Sequence, residues 1–222
     1  MNLGQAFSFP FQDPDWLKKI GVMALISLIP IIGQIILLGW GLEITRRVIQ
    51  GSPVILPDID MGNQLGEGFK GFIASFAYSL PIILMSIPSS ILPYMTEDSS
   101  LQNSEGVIMA FTLCCSGLIL LYALLLAFVL PAALGNLAAK GNLGAAFDFK
   151  TILGLVRAAP VAYLLVVVGT LAASFISSLG IIACFIGIFV TSVYSLAVMT
   201  NLYGQAYNEA TKNSSQVYTP GM

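Results

Sequence analysis

Nine basic residues punctuate this 222-residue chain: Lys18, Lys19, Arg46, Arg47, Lys70, Lys140, Lys150, Arg157 and Lys212. Every one lies between or beside long apolar runs, whereas the acidic stretch 96–106, with Glu97, Asp98 and Glu105, holds none. In a bilayer this asymmetry sets orientation, because short loops rich in Lys and Arg stay on the cytoplasmic side. The pattern predicts a multi-pass protein of the cell inner (cytoplasmic) membrane, with N- and C-termini cytoplasmic and the acidic stretch outside.

Composition agrees with that class. Hydrophobic residues make up 57% and charged residues 9%, with a mean hydropathy of +0.88; soluble domains carry about 25% charged residues. A net charge of -2 offers no basic footprint for nucleic acid.

A spanning helix needs roughly 20 apolar residues. Residues 72–94, 107–134, 160–178 and 180–203 meet that length, so four transmembrane helices are expected. A fifth apolar stretch, 20–42, is interrupted by Pro30 and Gly33. Crossing once, it would set Lys18 and Lys19 opposite Arg46 and Arg47, against the basic-residue rule. Doubling back as a shallow re-entrant hairpin, it keeps all nine cations on one side. The hairpin is the expected form, with a single kinked crossing as its alternative.

A short repeat points the same way. Residues 2–9 and 142–149 agree at six of eight positions, and 65–72 is a looser copy. Each copy precedes an apolar unit, which suggests three repeated helical-hairpin units, about 1–50, 63–140 and 142–210, in one polytopic domain 1–210. Residues 211–222 read as a polar C-terminal tail. The lead-in segments read as interfacial amphipathic helices: Phe147, Ile152, Leu153 and Val156 recur at helical spacing, and Phe7, Phe9, Phe11 and Trp16 anchor the first one. Asp13 and Pro14 read as the cap and first turn of the next helix.

The chemical inventory is sparse. Histidine is absent and the three cysteines, Cys114, Cys115 and Cys184, lack ligand spacing. No nucleophile-base pair or phosphate loop is recognisable; Gly62 to Gly71 carries Glu67 and Lys70 but lacks the strand such a loop needs. No catalytic, cofactor-binding or metal residue is therefore expected. Between the interfaces the four spans contain no Asp, Glu, Lys or Arg, which argues against a proton relay. Ser79, Ser86, Thr112, Tyr122 and Thr191 remain as lining for a neutral pathway. Pro81, Pro88, Pro93 and Pro131 are expected to kink their helices.

Two constellations stand out. Gly169, Ala173 and Ser177, and then Ala183, Gly187, Thr191 and Ser195, recur every fourth residue, giving small faces on which helices approach closely. They serve either each other or a partner. Glu43 stands three and four residues before Arg46 and Arg47, on one helical face. This reads as an interfacial ion pair or as a contact for a lipid headgroup or partner.

Phe9-Pro10-Phe11-x-Asp13-x-Asp15-Trp16-x-x-Lys19, Leu28-Ile29-Pro30-Ile31-Ile32-Gly33, Gly39-Trp40-x-Leu42-Glu43, Arg46-Arg47-Val48, Gly51 and Leu56-Pro57-Asp58 resemble the N-terminal signature of the DUF4013 family of uncharacterised prokaryotic membrane proteins. Ala145-Ala146-Phe147-Asp148 and Gly204-Gln205-Ala206-Tyr207 are similar to its later motifs, and Trp40 stands where a Tyr is expected. The resemblance implies an integral membrane protein of bacteria or archaea and carries no activity or functional residue with it.

The leading expectation is a non-catalytic accessory, assembly or scaffolding subunit of a membrane complex, or a homo-oligomer. Its partners would be membrane lipids and other membrane subunits or copies of itself, and not nucleic acid. A channel or carrier for neutral or lipid-like molecules, and a pigment- or quinone-contacting subunit, are the alternatives.

Overall fold

The computed structural model describes residues 1–95, 105–180 and 184–217. Among these the chain is all-helical: α1 (Leu3–Ser8), α2 (Trp16–Ser27), α3 (Ile32–Ile49), α4 (Met61–Met95), α5 (Glu105–Lys140), α6 (Phe149–Ala158), α7 (Pro160–Leu179) and α8 (Cys184–Val217), with short 3-10 turns at Phe9–Gln12 and Leu143–Phe147. Three stretches, Met61–Pro88, Met109–Lys140 and Pro160–Ser178, are long and apolar enough to cross a membrane. The spans expected at 72–94, 107–134 and 160–178 fall on α4, α5 and α7. The fourth, 180–203, falls mainly on α8, which is not among those three; residues 181–183 lie outside the described residues, as do 96–104 of the acidic stretch. The polar stretch after 210 continues α8 as far as Val217.

Two compact units form, one of Met1–Ala74 with Phe128–Met222 and the other of Ser75–Ala127.

In the first unit the interrupted stretch 20–42 becomes two helices. At 1.5 Å per residue, α2 and α3 are about 18 and 27 Å long. They lie side by side: Gly33 abuts the Ile26 carbonyl so closely that a Cβ would overlap it, and Gln34 Nε2 donates to Ser27 O at 3.1 Å. At their other ends, Lys19 Nζ and Arg47 Nη1 both donate to Leu56 O, at 3.1 and 3.4 Å. The chain therefore doubles back, and the two basic pairs meet at one end.

The reversal is a γ-turn. Ile31 has φ 66° and ψ -65°, and Ile32 N donates to Pro30 O at 2.8 Å. A β-branched residue in that region is strained, by about 1–3 kcal/mol. The tip is apolar and exposed: Leu28, Ile29 and Ile32 all face outward, and Ile31 is 72% exposed.

Trp40 is the centre of the core. Fully buried among Ile20, Met23, Ile44, Leu56, Val193 and Ala197, it donates its indole N–H to Pro57 O at 3.2 Å, as a buried Trp requires. The same indole fixes loop 50–60 beneath the hairpin. Parallel to α3 runs α8, with Thr45 Oγ1 donating to Thr200 O at 2.9 Å, Gly41 against Leu196 and Thr200, and Gly204 against Val48. On its other side α3 crosses the base of α4 glycine to glycine: a Cβ on Gly39 would overlap Gln64 O, and one on Gly68 would overlap Ile35 O.

The lead-in segments share one device. Asn2 Oδ1 accepts from Gln5 N at 3.1 Å and Asn142 Oδ1 from Ala145 N at 2.8 Å, each satisfying a donor that the helix start leaves over. The first copy becomes an α-helix and the second a 3-10 turn. In α6, Ile152 and Leu155 are buried while Phe149 and Leu153 face outward, so its apolar residues divide between the bundle and the surroundings. Asp13 does not cap α2. Asp15 holds that position, and the Asp13 carboxylate instead accepts from Asp15 N at 2.8 Å.

In the second unit, the parts of α4 and α5 within it are joined by Tyr122 OH, which donates to Tyr78 O at 3.0 Å. Helix α4 runs unbroken through Pro81, Pro88 and Pro93, and α5 through Pro131.

Candidate functional site

Charged side chains gather where the ends of α3, α4 and α5 meet in the first unit. Glu67, on the first turns of α4, bridges two cations: Oε2 lies 2.7 Å from Arg46 Nη2 and Oε1 lies 2.6 Å from Lys70 Nζ. Each cation also holds the end of α5, since Arg46 Nε donates to Ala138 O and Lys70 Nζ to Gly141 O, both at 3.0 Å. Carbonyls at a helix C-terminus lack partners and carry partial negative charge, so cations belong there. One carboxylate thus ties three helix ends together. Next to it, Lys140 Nζ lies 3.8 Å from Asp148 Oδ2.

The Glu43, Arg46 and Arg47 trio divides. Arg47 pairs with Glu43 at 3.0 Å, one turn away, and reaches Val54 O and Leu56 O. Arg46 turns aside to Glu67, so the two guanidiniums do not converge on a shared site.

A second cluster fastens the start of α2. Lys19 Nζ lies 2.8 Å from Asp13 Oδ2 and 3.0 Å from Asp58 Oδ1. Burial alone would raise the Asp13 carboxyl, but the Lys19 hydrogen bond, the Asp15 N–H and the charges of Lys19 and Arg47 outweigh it and hold the group below the usual carboxylate range. A carboxyl lowered by folding stabilises the fold fully above its unfolded value, about 3.9. That contribution is lost as pH falls through the folded value. Hydrogen exchange of the first amides of α2 should therefore quicken as pH drops below about 4, after correction for intrinsic rates, and Asp13→Asn should flatten that dependence. An equal pH response in both proteins contradicts this.

The small faces of α7 and α8 meet each other. Ser195 Oγ donates to Ala173 O at 2.7 Å, Ser177 Oγ and Ser192 Oγ share a bond of 3.0 Å, and Thr191 Oγ1 donates to Ser177 O at 3.2 Å. Gly169 leaves room for Leu202 and Leu3, and Thr191 also bonds Gly187 O at 2.9 Å. Ala183 lies outside the described residues. These faces are occupied within the chain.

Ser79 and Ser86 return their hydroxyls to Ser75 O and Ile83 O on their own helix. Cys114 and Cys115 are free thiols. Among the described residues no group of three or more His, Cys, Asp or Glu is placed to hold a metal ion.

The sequence places Glu67 beside Lys70 and Asp58 in the Leu56-Pro57-Asp58 motif but assigns neither of them a partner. The Glu67 to Lys70 spacing of three was a visible signal, but nothing local pointed to Arg46 as the second partner.

Three membrane-length apolar helices among the described residues, together with a helical hairpin whose charges collect at one end, define a helical protein of the membrane class. The chain belongs to the DUF4013 family: the family model, described as a protein of unknown function, matches residues 22–201. That range covers the α2–α3 turn, Trp40, the arginine pair and the Ala145 to Asp148 motif, and leaves the Phe9 to Lys19 motif outside it. Comparison with curated proteins and with solved structures found no match.

Proposed function

We propose that this chain is a non-catalytic membrane protein that acts by association within the bilayer, as an accessory, assembly or scaffolding subunit or as a homo-oligomer. The observation that carries this reading is α5: its most apolar 18-residue stretch, of mean hydropathy 2.7, has no residue buried by the rest of the chain. A helix apolar on every side must be enclosed by apolar surroundings, and in a membrane other helices compete with lipid for that surface. The charge clusters support the same reading, since their ions are engaged with each other and with helix carbonyls.

In the proposed topology α4, α5, α7 and the first part of α8 cross the inner membrane. The α2–α3 hairpin re-enters from the cytoplasmic side, tip in the hydrocarbon, and both chain ends stay in the cytoplasm. Lys19 and Arg47 meet at Leu56 O, and Arg46 and Lys70 meet at Glu67, which supports a single cytoplasmic end. The matching asparagine caps support the likeness of the first and third units.

Native mass measurement from a mild detergent tests the association. The expected result is a multiple of 23.6 kDa or a constant copurifying membrane protein. A lone monomer over the whole range of detergents and concentrations contradicts it.

A further inference from the structure

Helix α6 is held at a membrane boundary by its neighbours in the chain. The membrane-length stretch Met109–Lys140 ends before it and Pro160–Ser178 begins just after it, so its 10 residues, about 15 Å of helix, lie where hydrocarbon gives way to headgroups. At one end Lys140 Nζ stands 3.8 Å from Asp148 Oδ2, and at the other Asn213 Nδ2 donates to Ala158 O at 2.9 Å. Ile152 and Leu155 are buried, which fixes the face that turns outward.

That face joins an apolar edge to two cations. At 3.6 residues per turn, Phe149, Leu153 and Arg157 follow one another along it, with Lys150 and Gly154 beside them, and all of these are exposed. No Asp or Glu shares the arc: the nearest, Asp148, caps the helix and accepts from Thr151 N and Oγ1 at 3.2 and 2.6 Å. Lys19, Arg46, Arg47, Lys70 and Lys140 each hold a carboxylate, whereas Lys150 and Arg157 make no ion pair or hydrogen bond among the described residues. Lys150 moreover stands in the first turn of α6, where the helix dipole disfavours a cation. Its charge does not serve the helix that carries it.

We propose that this face of α6 binds anionic phospholipids of the leaflet at the basic end, Phe149 and Leu153 entering the boundary of the acyl chains and Lys150 and Arg157 meeting the headgroup phosphates. Charge complementarity and place choose the partner. An arc with two unpaired cations and no carboxylate calls for anions, and beside the first turn of a spanning helix the anions at hand are headgroups. An acidic protein segment matches the charges but not the apolar edge. The site rests on the proposed crossing by α7 and is independent of whether the chain associates.

The test places the full chain in phosphatidylcholine liposomes with a trace of photoactivatable phosphatidylglycerol or, separately, of photoactivatable phosphatidylcholine with the same acyl chains, and maps the adducts by mass spectrometry. Both lipids should label α7 along Val161, Leu164, Val168, Leu171 and Phe175, which are exposed, and this reports the crossing by itself. At residues 149–157 the anionic probe should be favoured by about fivefold for each cation. Salt at about 1 M, which shortens the screening length to about 3 Å, should bring the two probes level. Lys150→Gln with Arg157→Gln should do the same, while Lys150→Arg with Arg157→Lys should keep the preference, which separates charge from any change of fold. Label on α7 without anionic preference at α6, the outcome if the cations face an acidic protein instead, or a preference that survives the glutamine pair, would overturn this site and leave the crossing standing. No label on α7 from either lipid would overturn both.

Discussion

Gly39→Ala should force α3 away from α4 and destabilise the first unit by about 3 kcal/mol, at the upper end of what overpacking usually costs. The reason is the identity of the obstacle. At Gly39 an added methyl meets the Gln64 carbonyl and the Gly68 amide, which are backbone atoms of a helix and have no rotamer to yield. Gly68→Ala meets the Ile35 carbonyl and the Gly39 amide in the same way and should behave alike. Once either change has parted the helices, the second should add little, because both report the same crossing. Gly66→Ala is the internal control: nothing lies within 4 Å of its added methyl, and alanine is favoured over glycine in a helix by up to about 1 kcal/mol. Unfolding of the detergent-solubilised chain by a denaturing detergent, followed by helicity, separates these outcomes. A Gly39→Ala midpoint equal to that of Gly66→Ala would show that the crossing is not tight.

The second large effect is expected at Glu67. Glu67→Ala leaves Arg46 and Lys70 facing each other without their shared carboxylate, at a site where Glu67 is only 18% exposed. Breaking a buried ion pair from one side costs about 3–5 kcal/mol; partial exposure of both cations discounts this to about 2 kcal/mol. Glu43→Ala serves as comparison. Arg47 keeps Val54 O and Leu56 O, and although this pair is about as exposed as Arg46 with Glu67, at 25% and 23%, only one cation loses a partner, so a loss of about 1 kcal/mol or less is expected. The same denaturation series reads both, and equal losses at Glu43 and Glu67 would refute the assignment of Glu67 as the tie between α3, α4 and α5.

The doubling back of residues 20–42 is legible in the sequence, because two basic pairs flanking one interrupted apolar stretch can share a side only if the chain reverses. The place of reversal was legible as well, since Pro30 and Gly33 flank the γ-turn at Ile31. What the glycines of α3 and α4 are for was not. A glycine that is crossed by another helix reads the same as one left in the open, and Gly39, Gly66 and Gly68 differ only in what lies opposite. The division of the arginine pair was hidden for a similar reason. Helical spacing brings both Arg46 and Arg47 within reach of Glu43, and it is the position of α4 that draws Arg46 away. Spacing of four marked the small faces of α7 and α8 as packing surfaces, but whether they meet each other or a partner is a tertiary fact that no local period contains.

Single cysteines placed at Asp15 and at Gln50, in a background without the native thiols, test the re-entrant hairpin most directly, because these exposed positions flank it on either side. With an impermeant thiol reagent, both are expected to stay unlabelled in intact cells and to react in inverted membrane vesicles. Labelling of one position from outside while the other reacts only from inside would mean that residues 20–42 pierce the membrane, and would contradict the shared basic end on which the proposed topology stands.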